Sequence, residues 1–228
     1  MCLSDFHVPF NLPVSAFQNY ASMTDILVLN GDIEDCQSIS KFNKRYRVNF
    51  ADEMVATREF LIQLIRLIKP KEVYITKGNH EVRLGRFLSE SINDDLFQLM
   101  PDTPLDLIIN DGFKNRDRYM ETETWYAPLV EVFKNIPIHY DNNWWCKVGK
   151  TIFCHPMAYS SSIMKTADKA ADFFVTIDRD FDTIVMAHTH KMGAYVTGNI
   201  HLYEQGCCCD TNKLNYNDGR LVNPAKNG

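Results

Sequence analysis

Lys77-Gly78-Asn79-His80-Glu81 follows the apolar run Val73-Tyr74-Ile75 and precedes a helix that we expect over residues 82–92. A buried strand, a glycine turn and a helix in succession are typical of α/β folds. This order places Asn79 and His80 at the carboxyl end of a sheet, where open α/β folds bind their ligands. The stretch therefore predicts an α/β fold with functional side chains at its strand ends.

The same arrangement occurs earlier in the chain. Ile26-Leu27-Val28-Leu29 is a continuous apolar run of the kind shown by a strand covered on both faces, and it leads into Asn30-Gly31-Asp32. Between the two strands, residues 51–68 carry apolar side chains at helical spacing, and Lys69-Pro70 closes that helix. Strand, helix and strand in this rhythm predict neighbouring parallel strands with right-handed connections.

The remaining elements are predicted from shorter patterns. Residues 93–136 are expected to be helical cover or an insertion, with a charged helical stretch over about 116–134. The other predicted elements are a short helix at 14–23, strands at 136–140, 144–148 and 151–154, a helix at 161–175, a strand at 183–186 and a hairpin of 194–197 with 200–203. The strands after residue 136 are expected to form a second sheet.

The composition is that of an ordinary globular protein, with 45% hydrophobic and 23% charged residues in 228. We expect a single domain over residues 1–228, with a poorly ordered tail after about residue 210. No apolar run approaches the roughly 18 residues of a membrane span, and Asp5 comes too early for a signal peptide to precede it. We therefore expect a cytoplasmic protein without a membrane partner.

The seven cysteines are an odd number without CxxC spacing, which favours reduced thiols. Three of them, Cys207-Cys208-Cys209, are consecutive. Consecutive residues of a strand alternate between its faces, so the three cannot all face one ion. We interpret them as small residues of a partly buried strand.

The formal net charge of −5 disfavours non-specific nucleic-acid binding, which depends on phosphate neutralisation by Lys and Arg. A local basic rim stays open, because the segment 41–47 holds four basic residues interleaved with Phe42 and Tyr46. It is either a phosphate-contacting rim or a solvated surface.

Metal-binding side chains follow several of the predicted strands. They are Asp5, His7, Asp32, Asn79, His155, His188 and His190. This mixture of oxygen and imidazole donors, without a thiolate, suits Mn, Fe, Zn or Co better than a structural zinc site of soft ligands. A lone histidine is more often structural than a ligand, and we keep that interpretation for His139 and His201.

Five stretches of the chain resemble, in order, the motifs DxH, GDxxD, GNH(D/E), H and GHxH of the calcineurin-like metallophosphoesterases. They are Asp5-Phe6-His7, the stretch 31–35 (Gly-Asp-Ile-Glu-Asp), Gly78-Asn79-His80-Glu81, His155 and His188-Thr189-His190. The resemblance spans residues 5–190 and is closest to small stand-alone bacterial and phage members. It implies a four-layer α-β-β-α sandwich of two mixed sheets.

The resemblance also implies two divalent metal ions, with Mn as the first choice and Fe, Zn, Co or Ni as alternatives. The first ion would be held by Asp5, His7, Asp32 and His190, and the second by Asp32, Asn79, His155 and His188. Asp32 would bridge both ions. In such a site the ions activate a bridging water or hydroxide and clamp the phosphoryl oxygens of a phosphate-ester substrate.

The remaining roles concern His80, Asp35 and Arg83. The resemblance assigns His80 to protonating the leaving oxygen, which suits an imidazole of near-neutral pKa. Asp35 is the candidate for orienting His80, and Arg83, one helical turn further on, could reach a substrate phosphate.

The expected activity is the hydrolysis of a phosphomonoester or phosphodiester. A metal-dependent DNA exonuclease or endonuclease is the first alternative, since the HxH ending also resembles DNA-processing members. A non-catalytic scaffold is the second, but it predicts eroded ligands and all seven are present. Oligomeric state stays open.

Overall fold

The computed structural model describes residues 1–41, 48–117, 120–213 and 225–228. Its strands are β1 (Cys2–Leu3), β2 (Ile26–Asn30), β3 (Glu72–Thr76), β4 (Phe113–Asp117), β5 (Thr122–Tyr126), β6 (Ile138–His139), β7 (Trp145–Val148), β8 (Thr151–Cys154), β9 (Thr183–Met186), β10 (Met192–Thr197) and β11 (Ile200–Gln205). Its α-helices are α1 (Phe50–Ile68), α2 (Arg83–Ser91), α3 (Asp94–Phe97), α4 (Pro104–Asp106), α5 (Leu129–Val132) and α6 (Lys165–Ile177). Val14–Tyr20 and Gln37–Ile39 are 3₁₀ turns, and Leu107–Asp111 is a π-turn. Strands and helices together make a mixed α/β fold.

The first sheet has the order β1-β2-β3-β6, and all three pairings are parallel. The parallel pairing of β2 with β3 confirms the prediction drawn from the strand, helix, strand rhythm. The prediction of two mixed sheets is therefore wrong for this sheet, whose strands are all parallel. β6 was expected in the second sheet, but it joins β3 here as a short parallel edge strand.

The second sheet has the order β10-β11-β9-β8-β7 and is mixed. β8, β9 and β11 are mutually parallel, and antiparallel hairpins add β7 and β10 at the two edges. The predicted two-residue turn at Gly149-Lys150 is present, because Val148 pairs with Thr151.

One predicted helix is wrong. The stretch expected to be helical over about 116–134 contains most of the antiparallel hairpin of β4 and β5 and then the short helix α5. Thr122, Thr124, Trp125 and Tyr126 favour a strand, and this preference outweighs the charge pattern from which the helix was predicted.

Each larger sheet packs against one long helix. Asn49 caps the start of α1 by accepting a hydrogen bond from the Ala51 amide, and Lys69 ends it in the left-handed conformation. The apolar face of α1 joins the buried residues of β2 and β3 in one cluster, and α6 joins β8, β9 and β11 in a second. The two clusters fix the strands whose ends carry the predicted ligands.

The two sheets meet at Asn30, the last residue of β2. Its side-chain amide donates to the carbonyls of Cys154 and Val185, 3.2 Å away in each case, and its Oδ1 accepts a hydrogen bond from Thr76. A single buried amide thus ties β2 to β3 in one sheet and to β8 and β9 in the other. The ends of these four strands are brought to one place.

Glu53 gives a stability prediction. It lies fully buried on α1, and burial raises its pKa to about 7, although the Gln37 amide opposes the rise. Because the folded-state pKa exceeds the ordinary value of 4.5, Glu53 contributes its full stability below about pH 4.5 and loses it as pH rises towards 7. A shift of this size corresponds to roughly 3 kcal/mol.

We therefore expect Glu53→Gln to flatten the fall in the free energy of unfolding between pH 4.5 and 8. Urea denaturation at several pH values measures this, with the exposed Glu131→Gln as control. An unchanged slope in Glu53→Gln would show that Glu53 is not the group responsible.

Within the described part of the chain, none of the helices has the length and apolar character needed to cross a membrane.

Candidate metal centre

The predicted ligands lie just beyond the carboxyl ends of parallel strands. Asp5 follows β1, Asp32 follows β2, Asn79 follows β3, His155 follows β8 and His188 follows β9, each by one to three residues. Parallel strands present their carboxyl ends at the same edge of a sheet, and Asn30 joins the two edges.

The backbone at this place is unusual. Five of the seven predicted ligands have a positive φ, a conformation that is uncommon outside glycine and clusters at functional sites. They are Asp5 at 52°, His7 at 51°, Asp32 at 48°, His188 at 90° and His190 at 54°. The surrounding packing holds these residues where their side chains converge.

Asp5, His7 and His190 form the first group of buried side chains. Their potential ligand atoms all lie within 4.8 Å of one another. His7 Nε2 lies 3.0 Å from His190 Nε2, and His190 Nε2 lies 3.1 Å from Asp5 Oδ1. Ser4, which the sequence did not single out, donates to Asp5 Oδ2 at 2.6 Å and fixes the carboxylate.

Asp32, His155 and His188 form the second group, again within 4.8 Å. His155 Nε2 lies 3.2 Å from Asp32 Oδ2 and 3.2 Å from Asn79 Oδ1, so the amide belongs to the same cluster. Asp32 Oδ2 is also 3.9 Å from His7 Nε2 in the first group. Asp32 therefore lies between the two groups.

The pKa values of the clustered groups depend on burial and on the neighbouring carboxylates and imidazoles. Burial would raise the pKa of Asp5, but the neighbouring His190 and His155 lower it to about 2. Burial lowers the pKa of His155, yet the Asp32 carboxylate beside it raises the pKa to about 10. Burial brings the pKa of His7 and of His188 down to about 4, so both are neutral at pH 7.

The histidines are oriented by their second ring nitrogen. His155 Nδ1 lies 2.8 Å from the carbonyl of Asn30, which can only accept, so Nδ1 carries a proton and Nε2 is the nitrogen that faces the cluster. In the same way, His7 Nδ1 lies 3.2 Å from Asp35 Oδ1 while Nε2 faces the cluster. Such a partner on the outer nitrogen is typical of metal-binding histidines.

Asp35 contacts two histidines. Besides His7, its Oδ1 lies 3.0 Å from His80 Nδ1. We expected it to orient His80 alone, and the structure brings it equally close to a predicted ligand. Burial opposes the ionised form of Asp35, but the two imidazoles hold its pKa below the usual range.

Arg83 lies beside His80 at the start of α2. Its guanidinium donates to His80 Nε2 at 2.8 Å and to the Asp35 carbonyl at 2.7 Å. A guanidinium has no acceptor, so His80 Nε2 is the accepting nitrogen in this arrangement. His80 and Arg83, both predicted from the sequence to be functional, are thus adjacent at the edge of the cluster.

Glu81 is the principal residue whose importance the sequence did not reveal. It stands at the end of the GNHE stretch, for which no role of the acid was predicted, and it is fully buried. Its carboxylate accepts hydrogen bonds from the backbone amides of Gly78, Asp32, Ile33 and Glu34, at 2.7 to 3.1 Å. It fastens the loop after β2 to the loop after β3.

Gly78 gives a second prediction. A Cβ at this position would clash with Asp32 Oδ1 and with the Asp32 backbone amide, so any side chain displaces Asp32. We expect Gly78→Ala to weaken metal binding by roughly 10–100-fold, the usual effect of disturbing a ligand's support. Titration calorimetry with Mn²⁺ measures the change.

The control for Gly78→Ala is Gly149→Ala, in the hairpin turn between β7 and β8. A Cβ there meets nothing within 4 Å, and although its φ of 60° strains an alanine, the turn lies at the opposite end of β8 from His155. Wild-type affinity in Gly78→Ala would contradict the close approach that the structure shows.

The donor set fits divalent ions. Four imidazoles, two carboxylates and one amide oxygen converge, and several approach within 3.0 to 3.9 Å although they are not all able to donate to one another. Neutral imidazole and ionised carboxylate are the forms that bind metals. A third group, His7, Asp32 and His80, also lies within 4.8 Å, although His80 Nδ1 is engaged by Asp35.

Two further predictions concern the surroundings. Residues 42–47 of the basic and aromatic segment lie outside the described residues, as do residues 214–224 of the tail. Lys41, the first basic residue of that segment, pairs with Glu90.

The three consecutive cysteines point to different sides. Cys207 and Cys209 share a face and lie within 4.8 Å of His190, whereas Cys208 joins the apolar core around α1. The alternation is as expected, but the three cysteines are buried and follow β11, where Cys207 and Cys209 make isolated bridges, rather than lying in a partly buried strand.

Imidazoles and carboxylates at the strand ends converge where the two sheets meet, and such a group of side chains could hold the divalent ions that many hydrolases use. Residues 1–192 match the family model described as Calcineurin-like phosphoesterase. The chain belongs to the calcineurin-like phosphoesterase family, whose members hydrolyse phosphoesters with divalent metals. Comparison with curated proteins gives no match to the chain.

Proposed function

We propose that the chain is a dinuclear metal-dependent phosphoesterase that cleaves a phosphomonoester or a phosphodiester. The observation that carries the proposal is the position of Asp32, whose Oδ2 lies 3.2 Å from His155 Nε2 and 3.9 Å from His7 Nε2. One carboxylate thus faces both groups of donors, as a bridging ligand must. The proposal retains the four-layer α-β-β-α arrangement expected from the sequence.

In this proposal, Asp5, His7, Asp32 and His190 hold one ion, and Asp32, Asn79, His155 and His188 hold the other. When bound, the ions supply an activated water as nucleophile and neutralise charge on the phosphoryl oxygens. The outer contacts of His7 with Asp35 and of His155 with Asn30 keep the ligand nitrogens aimed inward. Asn79 adds an oxygen without adding negative charge near the phosphate.

His80 is proposed to protonate the leaving oxygen. Burial lowers its pKa, but Asp32 and Asp35 more than compensate and the net pKa is raised, which favours the protonated ring. Arg83 occupies Nε2 in the structure, so it has to release that nitrogen when substrate arrives. A phosphate oxygen is a stronger acceptor for the guanidinium than a neutral imidazole, and the exchange would leave Nε2 free to carry a proton.

The proposal is tested by stripping the protein with a chelator and adding Mn, Fe, Zn, Co or Ni in turn. We expect Mn to restore hydrolysis of 4-nitrophenyl phosphate or bis(4-nitrophenyl) phosphate. Single-stranded and double-stranded DNA are assayed in parallel. Failure to hydrolyse either ester with any of the metals would contradict the proposal, and cleavage of DNA alone would favour the nuclease.

A further inference from the structure

A cavity of about 410 Å³ opens beside the second group of predicted ligands. His155 and Gly78 line it, and both also border the metal centre: His155 Nε2 lies 3.2 Å from Asp32, and Gly78 abuts the same carboxylate. The cavity and the cluster therefore share two wall residues. A ligand whose phosphate is held at the cluster has room for its remaining atoms here.

One wall of the cavity is a face of α6. Thr166, Lys169, Ala170 and Phe173 all line it, and their spacing of three and four residues places them on one side of the helix. Trp144, which packs on Phe173, and the loop that follows His155 also line the cavity. The cavity is partly open to solvent, and its volume is within the usual range for small-molecule sites.

The walls are mainly apolar and include two aromatic rings. Trp144 and Phe173 lie with ring centroids 5.5 Å apart and planes inclined by 51°. Phe173 is 45% exposed and Met157, also in the wall, is 53% exposed. Large apolar side chains left accessible around a concavity are typical of a site that a ligand covers.

Lys77 and Lys169 also line the cavity. Among the residues that the structure describes, neither ammonium is paired with a carboxylate, whereas Lys41, Lys71 and several others are. The lining is almost wholly apolar, so the two lysines contribute their carbon stems to the walls, and the cavity suits an apolar group rather than a charged one. A phosphate ester with an aromatic organic group could place that group here while its phosphate lies at the cluster.

We propose that this cavity binds the organic group of the substrate, and that this group is a flat apolar ring. The proposal rests on the proposed phosphoesterase function and names its substrate class: a small phosphate ester with an aromatic group.

The first test measures binding without turnover. Titration calorimetry on the Mn-loaded protein compares phenylphosphonate with methylphosphonate, which share the anionic group and differ in the ring. Burial of a phenyl ring corresponds to a preference of roughly tenfold or more for phenylphosphonate. Equal affinities for the two would overturn the proposal.

Two variants test whether the preference for phenylphosphonate arises in this cavity. Phe173→Ala should reduce that preference by about fivefold or more, because one wall of the cavity is lost. Phe87→Ala is the matched control, since Phe87 is also a 45% exposed phenylalanine, on α2, and does not line the cavity. A preference that persists in Phe173→Ala, or falls equally in both variants, would overturn the assignment to this cavity.

The second test separates the cavity from the catalytic proposal. The metal-free protein is titrated with 4-nitrophenol, which quenches tryptophan emission, and Trp144→Phe identifies the contribution of Trp144. We expect saturable quenching in wild type that is largely lost in Trp144→Phe. Quenching without any metal-dependent hydrolysis would refute the phosphoesterase and leave the ring site standing, whereas hydrolysis without saturable quenching would refute the ring site alone.

Discussion

Asp32→Asn is expected to lower kcat/KM for a phosphate ester by at least about 10³-fold, equivalent to about 4 kcal/mol of transition-state stabilisation. The carboxylate faces both groups of donors, and a neutral amide has one oxygen with which to serve two ions. The substitution keeps the shape of the side chain and an Oδ1 that accepts the His80 amide, now bonded at 2.8 Å. Steady-state kinetics with saturating Mn²⁺ measure the loss.

A matched control for this substitution is Asp25→Asn, which neutralises an exposed carboxylate paired with Lys71. It should retain full activity, because exposed ion pairs contribute little. If Asp32→Asn retained more than about a tenth of the wild-type kcat/KM, Asp32 would not bridge the metals. Circular dichroism of the metal-free proteins checks that both variants are folded.

His80→Asn is expected to lower kcat by roughly 10²–10⁴-fold, the usual contribution of a general acid. The protein should retain its metal, because His80 Nδ1 is engaged by Asp35 rather than directed at the cluster. The loss should be greatest for esters with poor leaving groups, such as alkyl phosphates, and smallest for 4-nitrophenyl phosphate, whose leaving oxygen needs little protonation.

The control for His80→Asn is His201→Asn on the exposed face of β11, which should behave as wild type. Metal analysis of the His80 variant decides between two roles, since His7, Asp32 and His80 also lie within metal-binding distance of one another. Loss of one ion would make His80 a ligand, and an equal loss of rate for all leaving groups would exclude it as the acid.

The strands that carry the site were predictable because their signals are local. β2 and β3 are short apolar runs that each lead into polar residues through a glycine, and α1 between them has helical periodicity. Gly78 shows why a glycine is needed in the turn after β3, since the missing Cβ lets Asp32 approach that turn closely. The convergence of the seven predicted ligands followed from their places after parallel strands.

Other features depend on contacts between residues distant in sequence. The role of Glu81 arises from four amides on two loops, and only the folded backbone brings those amides together. Asp35 contacts two histidines for the same reason. The charge pattern over about 116–134 predicts a helix where the chain forms most of the hairpin of β4 and β5, because charge is a weak guide to secondary structure.

The cavity was likewise not visible in the sequence. Trp144 precedes β7 and Phe173 lies on α6, and the packing of that helix on the second sheet brings the two rings together. Neither residue belongs to a motif, so no local signal distinguishes them from ordinary core residues.

The most direct test of the dinuclear centre is the number of ions bound. Native mass spectrometry of protein reconstituted with Mn²⁺ at pH 8, where His7 and His188 are neutral, should show two ions per chain in wild type and at most one in Asp32→Asn. A wild-type chain that binds a single ion or none at saturating Mn²⁺ would contradict the account.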